Sequence, residues 1–353
     1  MTHVFVSPHP DDIALSCGGL VASLRELGQS VTILSVFSGA GEGARMSDYQ
    51  RAALGFGTKT IHPNTEAFRR TNIGADYPVS GSAAANPPWL ADEDRLEVTQ
   101  ERANTQARQF WQRAAWTRSA NITNAESDSR PLADSIGGQG SLERIDFHAA
   151  DAAELRRLED ERYAYFSEAS VIFLDLPDAV YRGYEGDAEL LGRPRDDDPA
   201  PFELLRSEIV RLEPQMVYFP LGIGGHVDHQ LCRDVGVALL GEERRWVMPG
   251  PGFVGRVSFY EDFPYAWWGD SNPREDAAAL DLPVGVNVEA QYSDVSDVLA
   301  RKAAGIRVYA SQLPRMFESD QAMLDDLYGF HAKVALAGGV SGYAERYWAT
   351  VAP

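Results

Sequence analysis

The chain has 353 residues, of which 44% are hydrophobic and 24% charged, a composition typical of a globular protein with a large core. Its formal net charge of −20 argues against binding to nucleic acid or to an anionic membrane surface, because like charges repel. Cys17 and Cys232 are too few for a disulfide framework, and the sequence has no apolar run of about 18 residues that would predict a membrane span. With no secretory signal visible, we expect a cytoplasmic protein.

Short apolar runs alternate with helical patterns along most of the chain. Strands are predicted at about 4–7, 31–37, 171–174, 216–219 and 256–260, and helices at about 16–27, 151–166, 202–212 and 228–240. Further helices are predicted at about 295–309 and 322–337, a last strand at about 343–351, and a solvated acidic loop at 192–201. This alternation predicts an α/β fold, a Rossmann-like doubly wound and mostly parallel sheet with helices on both faces.

We interpret residues 1–353 as a single domain with a long insertion at about 58–143 and a C-terminal extension from about 261. The insertion follows the second strand and is rich in Pro, Gly, Ser and Ala, which predicts irregular chain. Its Trp89, Trp111 and Trp116 suit a sugar ring or an apolar group, so we expect it to cover or shape a pocket. A peripheral decoration is the alternative.

The loop from Gly39 to Ala44 has the form G-x-G-x-x-A of a dinucleotide-binding fingerprint. That fingerprint belongs to the first strand-to-helix turn, whereas this loop follows the second strand. A flexible glycine loop is therefore the better interpretation.

Two polar motifs follow the first and fourth predicted strands. S-P-H-P-D-D occupies residues 7–12, and G-G-H-V-D-H occupies residues 224–229. In the usual strand order of doubly wound sheets, 3-2-1-4-5, strands 1 and 4 are neighbours, and their carboxyl ends flank the crevice where ligands bind. The topology therefore predicts that both motifs lie in one cleft.

His9, Asp12 and His229 would offer two imidazole nitrogens and one carboxylate oxygen to a single divalent ion. Three protein ligands with a fourth position open to water are the pattern of catalytic zinc. Zinc lowers the pKa of its bound water toward about 7, which provides a nucleophile at neutral pH. Cys17 and Cys232 are predicted to be small buried residues; each lies one turn beyond a proposed ligand, so a metal role stays open.

The remaining polar groups of the motifs suit acid–base work. Asp11 could accept a proton from the metal-bound water, and His226 could donate to an oxyanion or a leaving amine. Asp228 could orient one of the ligating imidazoles. In the alternative interpretation Asp11 only caps the following helix, and His226 and Asp228 are polar loop groups.

These residues resemble the motifs of the PIG-L/LmbE-like N-acetylglucosaminyl deacetylase family. Residues 7–12 look like its first motif and residues 226–229 like its second, and short segments at 17–19, 176–179, 260–266, 311–312 and 345–348 also look familial. The resemblance implies a Rossmann-like fold and zinc-dependent removal of an acyl group, mostly acetyl, from the 2-amino group of a sugar. It also implies the roles given above for the three ligands, the base and the oxyanion group.

Four further positions are interpreted through the same resemblance. Arg156 and Asp178 resemble residues that hold sugar hydroxyls. Ile13 stands where the family often has Glu, which suggests a divergent branch. Gly224 stands where some members place a Tyr that assists the oxyanion, so oxyanion stabilisation is expected to rest on His226 and zinc.

The leading hypothesis is a metal-dependent N-deacetylase, a hydrolase of linear amide C–N bonds, with one zinc ion per chain. Its substrate would be a small-molecule N-acyl sugar or glycoconjugate. The alternatives are a non-catalytic sugar- or nucleotide-binding protein on the same fold and a metal-dependent esterase. Asp11 and His226 argue against the binding protein, because binding alone requires neither a free base nor a free acid.

Overall fold

The computed structural model describes residues 1–40, 149–241, 256–268 and 272–351, which belong to one compact unit. Its strands are β1 (Thr2–Ser7), β2 (Ser30–Ser35), β3 (Ser170–Phe173), β4 (Met216–Pro220), β5 (Val257–Tyr260), β6 (Asn287–Asp294) and β7 (Ala344–Val351). Its longer helices are α1 (Asp12–Glu26), α2 (Ala149–Ser167), α4 (Phe202–Leu212), α5 (Val227–Gly241), α8 (Leu299–Ile306) and α10 (Asp320–Gly338). Its short helices are α3 (Asp187–Leu190), α6 (Tyr265–Trp268), α7 (Pro273–Ala278) and α9 (Leu313–Met316).

The seven strands form one sheet in the order β3-β2-β1-β4-β5-β7-β6. The first five are parallel, and β1 lies between β2 and β4, with Val4 opposite Thr32 on one side and Val217 on the other. The predicted order 3-2-1-4-5 is confirmed. Central strands buried on both faces read as continuous apolar runs, which is why the sequence predicted them well.

The other two strands are antiparallel, and the sequence predicted only one of them. β7 pairs with β5 and with β6, which places β6 at an edge of the sheet. β6 alternates half-buried Val288, Ala290 and Tyr292 with exposed polar residues, so it has no continuous apolar run to mark it. The helix predicted at 295–309 is shorter in the structure and begins only at Leu299.

Helix α1 packs closely against α8, and two glycines permit the approach. A Cβ at Gly19 would lie 2.7 Å from Val295 Cγ1, and one at Gly18 would lie 2.9 Å from Lys302 Cγ. The Lys302 side chain is buried behind α1, with its Nζ 2.7 Å from Glu345 Oε1 on β7. Gly19 N also donates a hydrogen bond to Glu345 Oε1, so the helix that carries Asp12 is joined to β7.

Several sequence predictions concern features other than the sheet. Cys17 and Cys232 are buried free thiols whose pKa is raised by burial, in agreement with their interpretation as small core residues. None of the described helices is long and apolar enough to cross a membrane. The insertion predicted at about 58–143, with Trp89, Trp111 and Trp116, lies outside the described residues. The division into a domain, an insertion and an extension stays a prediction.

Candidate active site

The first motif forms a tight turn at the carboxyl end of β1. The Ser7 hydroxyl donates to the His9 carbonyl at 2.6 Å, and the His9 backbone N–H donates to Asp12 Oδ2 at 2.7 Å. Asp11 adopts φ 109°, a left-handed conformation that is strained for any residue except glycine. The turn thus holds three polar side chains together at the start of α1, and strain of this kind is concentrated at functional sites.

The two motifs meet in one cleft, as the strand order predicts. Asp12 Oδ2 lies 3.4 Å from His9 Nδ1 and 3.4 Å from His229 Nε2. Ligand atoms bound tetrahedrally to an ion at about 2.0–2.1 Å stand about 3.3–3.4 Å apart, so both separations fit a shared zinc ion. The donor set of two imidazoles and one carboxylate also suits zinc.

His9 belongs to two other groups of potential ligands, with atoms within 4.8 Å of one another. One group joins it to His226 and His229, and the other to Asp178 and Asp228. In the second group both carboxylates are already engaged: Asp228 accepts hydrogen bonds from Ala179 N and Arg182 Nη2, and Asp178 accepts from Arg156 Nη1 and Val180 N. The set of His9, Asp12 and His229 stays a prediction, which rests on the two separations from Asp12 Oδ2.

The imidazoles of His9 and His229 each have a carboxylate beside their outer nitrogen, the one that faces away from Asp12. His9 Nε2 lies 2.9 Å from Asp228 Oδ2, and His229 Nδ1 lies 2.6 Å from Asp262 Oδ1. Carboxylates in this position fix the tautomer and the orientation of a ligating histidine. The Nδ1 of His9 and the Nε2 of His229 are thereby directed at Asp12.

Asp262 is a site residue that the sequence reasoning missed. Besides its contact with His229, its Oδ2 accepts hydrogen bonds from Gly222 N at 2.8 Å and Ile223 N at 2.9 Å. It directly follows Glu261 at the carboxyl end of β5, the next parallel strand after β4. The rule that ligand sites gather at this edge could have identified it.

The charges around the cleft favour a bound cation. Burial by itself would lower the pKa of His9, but Asp178, Asp12 and Asp228 outweigh it and raise the pKa to about 10. The pKa of His229 is also raised, because Asp12 and Asp262 outweigh the effect of burial. The raised pKa favours the protonated form of each imidazole, and metal binding would have to displace that proton.

Asp11 is buried at the cleft in the N-cap position of α1, but its side chain makes no capping hydrogen bond, so capping does not account for this carboxyl group. Its Oδ2 lies 3.9 Å from Arg156 Nη2. Burial raises the pKa of Asp11 to about 8, although Arg156 opposes the shift. A carboxyl group that titrates near neutral pH is matched to general-base work.

His226 lies beside both imidazoles of the proposed site, with ring centroids 4.7 Å from His9 and 5.3 Å from His229. Burial, followed by the charge of His9, lowers its pKa well below the usual value, so the ring is neutral. Its Nδ1 accepts a hydrogen bond from Asp228 N at 3.3 Å. A neutral imidazole that accepts at Nδ1 carries its proton on Nε2, which is then a donor.

Asp228 is completely buried in the first turn of α5 and is therefore not a polar loop group, whereas the choice between the two interpretations of His226, which directly precedes α5, stays open. Arg156 and Asp178 also lie at the cleft, joined to each other by a 2.9 Å hydrogen bond from Arg156 Nη1 to Asp178 Oδ2. Arg156 Nη2 also donates to the Pro10 carbonyl at 3.3 Å, next to Asp11. The structure therefore brings together every site residue that the sequence predicted, and their roles stay predictions.

Gly224 is covered by an aromatic ring from another part of the chain. A Cβ at position 224 would lie 2.6 Å from Tyr265 Cγ, and Gly224 has φ +88°. The same ring meets the His229 ring edge-on, with centroids 5.9 Å apart. Tyr265 thus fills the volume that a larger residue at position 224 would need.

Comparison with known proteins identifies similarity in the part of the chain that carries the first motif. Residues 4–86 match the family model described as PIG-L, GlcNAc-PI de-N-acetylase. The resemblance to the PIG-L family is confirmed. A curated relative, the 2'-N-acetylparomamine deacetylase of Streptomyces fradiae, is 32% identical over 163 residues, 45% of this chain and 54% of that protein. The chain thus matches about half the length of this curated relative.

Solved structures share the fold over nearly the whole chain. The A40926 pseudoaglycone deacetylase Dbv21 has a TM-score of 0.55 at 19% identity, covering 99% of this chain and 97% of that one. A zinc-inhibited form of the teicoplanin deacetylase Orf2 has a TM-score of 0.56 at 19% identity, covering 100% and 99%. The predicted α/β fold with a mostly parallel sheet is confirmed.

Proposed function

We propose that this chain is a zinc-dependent N-deacetylase that removes an N-acyl group, in particular an acetyl group, from an amino sugar or sugar conjugate. One observation carries the proposal: Asp12 Oδ2 stands 3.4 Å from a nitrogen of His9 and 3.4 Å from a nitrogen of His229. The family description and the name of the curated relative, both de-N-acetylases of amino sugars, support the same reaction class.

His9, Asp12 and His229 would hold one divalent ion. When bound, the ion would act as a Lewis acid toward the acyl oxygen and would lower the pKa of water in the cleft. The carboxylates of Asp228 and Asp262 would hold a proton on the outer nitrogen of each imidazole and direct the other nitrogen toward the ion. All five side chains are buried, so their geometry is set by the fold before an ion binds.

Hydrolysis of an amide requires a proton to be taken from water and a proton to be given to the leaving amine. Asp11 would take the proton from the attacking water and return it to the amine nitrogen as the C–N bond breaks. The Nε2–H of His226 would donate to the oxygen that becomes negative in the tetrahedral transition state. Arg156 borders Asp11 and donates a hydrogen bond to Asp178, and Arg156 and Asp178 would hold hydroxyls of the sugar.

The adjacent carboxyl groups give a paired test. Asp11→Asn keeps the shape of the side chain but removes the base, so zinc content should stay near wild type while turnover falls about 10²–10⁴-fold. Asp12→Asn should weaken zinc binding itself, and His229→Ala should lose zinc while the protein still folds. Zinc is measured by elemental analysis of the dialysed proteins, and turnover by amine release from a panel of N-acetylated amino sugars and aminoglycosides.

Matched O-acetyl sugars in the same panel test the esterase alternative. Release of acetate from these compounds without release of amine from their N-acetyl counterparts would replace the proposed reaction by ester hydrolysis. Equal zinc loss in Asp11→Asn and Asp12→Asn would show that the roles of the pair are misassigned. Near-full activity of Asp11→Asn would remove it as the base.

A further inference from the structure

Asp228 connects the proposed metal site to a second layer of buried charges. Its Oδ2 lies 2.9 Å from His9 Nε2 and accepts a hydrogen bond from Ala179 N at 3.0 Å. Its Oδ1 accepts a hydrogen bond from Arg182 Nη2 at 2.6 Å. The orientation of this carboxylate, and with it that of the His9 ring, therefore depends on where Arg182 stands.

Arg182 is held by contacts on every side of its guanidinium group. Nε donates to Asp198 Oδ1 at 2.9 Å, and Nη1 donates to the Pro177 carbonyl at 2.8 Å. The Arg182 side chain is only 9% exposed, and its guanidinium lies 5.0 Å from the centroid of the Phe37 ring. A planar group with three nitrogens engaged in three directions cannot turn without breaking one of these hydrogen bonds.

Asp198 lies in the acidic loop that the sequence analysis predicted to be solvated, and for this residue the prediction is wrong. Its side chain is only 4% exposed, whereas Asp196 and Asp197 beside it are exposed. Its Oδ2 accepts hydrogen bonds from the Tyr184 hydroxyl at 2.6 Å and from Arg195 N at 2.8 Å. Both oxygens of the Asp198 carboxylate thus accept hydrogen bonds, so the group that binds Arg182 is itself held in place.

The same loop is tied to the second motif at another point. Gln230 Nε2 donates to the carbonyls of Gly192 and Gly225, each at 2.6 Å. Gly225 immediately precedes His226. The segment from residue 192 to residue 198, which we name the strap, therefore contacts the second motif through Gln230 and reaches His9 through Arg182 and Asp228.

We propose that Arg182 and Asp198 are positioning residues of the metal site. Asp198 fixes Arg182, Arg182 fixes Asp228, and Asp228 orients His9 toward the ion. Neither residue touches the ion or the substrate. The inference rests on the proposed function, because it takes His9 as a ligand, and it predicts that a substitution in the strap changes zinc affinity.

The test compares two neighbouring aspartates. Asp198→Asn and Asp197→Asn remove the same charge from the same loop, but only Asp198 contacts Arg182. Each full-length protein is stripped of metal and titrated with zinc against a chromogenic chelator, and the melting temperature of the metal-free protein is recorded. Asp198→Asn should bind zinc about 10–100-fold more weakly than Asp197→Asn, the range typical of outer-shell substitutions. The melting temperature of the metal-free protein reports separately the stability that is lost when buried Arg182 loses this partner.

A double-mutant cycle separates positioning from a general loss of structure. In an Asp228→Asn background the connection to His9 is already broken, so adding Asp198→Asn should cause no further loss of zinc affinity. Additive losses would overturn the proposal, as would an equal loss in Asp197→Asn or unchanged affinity in Asp198→Asn. If Asp198→Asn does not fold, Arg182→Lys replaces it with the same expectations, because one ammonium group cannot bridge both carboxylates.

The outcomes distinguish this inference from the proposed function. If His229→Ala loses zinc while Asp198→Asn keeps wild-type affinity, the positioning role fails and the deacetylase proposal stands. If Asp198→Asn weakens zinc as expected but the wild-type protein releases no amine from any N-acyl sugar, the positioning role stands and the deacetylase proposal fails. A wild-type protein that binds no zinc overturns both.

Discussion

Replacing Lys302 by methionine should destabilise the fold strongly, although the residue lies outside the candidate site. Lys302 Nζ is 2.7 Å from Glu345 Oε1, 2.9 Å from His331 Nε2 and 3.2 Å from the Ser16 carbonyl. Lys302 and Glu345 are each only 2% exposed. Methionine fills much of the same volume but leaves the Glu345 carboxylate buried without its counter-ion.

The magnitude follows from what Glu345 keeps and what it loses. At 2.7 Å and an effective dielectric constant of about 20, the Coulomb attraction between Lys302 and Glu345 that the variant loses is about 6 kcal/mol. Part of this loss is offset, because the variant no longer buries the charge of Lys302 away from water. Glu345 retains hydrogen bonds from Gly19 N, Leu20 N and the Tyr347 hydroxyl. The net loss should therefore fall in the range of about 3–5 kcal/mol measured when one partner of a buried pair is removed.

Guanidinium unfolding of the metal-free protein, followed by tryptophan fluorescence, measures the free energy of unfolding. Lys333→Met is the matched control, because Lys333 is exposed and lies 5.7 Å from the centroid of the Trp267 ring, so its loss should cost no more than about 1 kcal/mol. The double variant Lys302→Met/Glu345→Gln removes both charges and should recover part of the lost stability. A loss below about 1 kcal/mol in Lys302→Met, or a double variant less stable than the single one, would refute the reasoning.

Two further predictions concern the backbone at Gly224 and the titration of Asp160. Gly224→Ala should destabilise the protein by about 1–3 kcal/mol more than Gly28→Ala. Both glycines have a positive φ, but only a Cβ at position 224 would clash with the Tyr265 ring. Equal losses of stability in thermal unfolding would contradict this prediction. Burial raises the pKa of Asp160 in the folded protein to about 6. The unfolded chain therefore loses this proton at a lower pH than the folded protein does, and the free energy of unfolding should fall as the pH rises from about 4 to about 6. Asp160→Asn should remove up to about 3 kcal/mol of that pH dependence in unfolding titrations; an unchanged slope would exclude Asp160 as its source.

Much of the fold could be predicted because the central strands are buried on both faces. Continuous apolar runs such as that of β1 identify these strands, and the alternation with helices specifies a parallel sheet. Once β1 and β4 are neighbours, the first and second motifs must share an edge. The meeting of His9, Asp12 and His229 therefore follows from topology and needs no knowledge of side-chain conformation.

What could not be predicted depends on packing between segments distant in sequence. β6 is an edge strand with a mixed pattern, and nothing local indicates that β7 inserts between it and β5. Arg182 occupies its place because groups from Pro177, Asp198 and Asp228 converge on one guanidinium. No periodicity in the sequence records such a convergence. The burial of Asp198 is hidden for the same reason, since its neighbours are exposed acids.

The position of β1 between β2 and β4 determines when the site can form during synthesis. The contact between His9 and Asp228 joins residues 219 positions apart, and the contact between Gly19 and Glu345 joins residues 326 positions apart. A nascent chain that has emerged only as far as β2 carries the first motif without any of its partners. Contacts of such long range form slowly. The residues of the proposed metal site can therefore come together only after α5 and the segment with Asp262 that follows β5 have been synthesised.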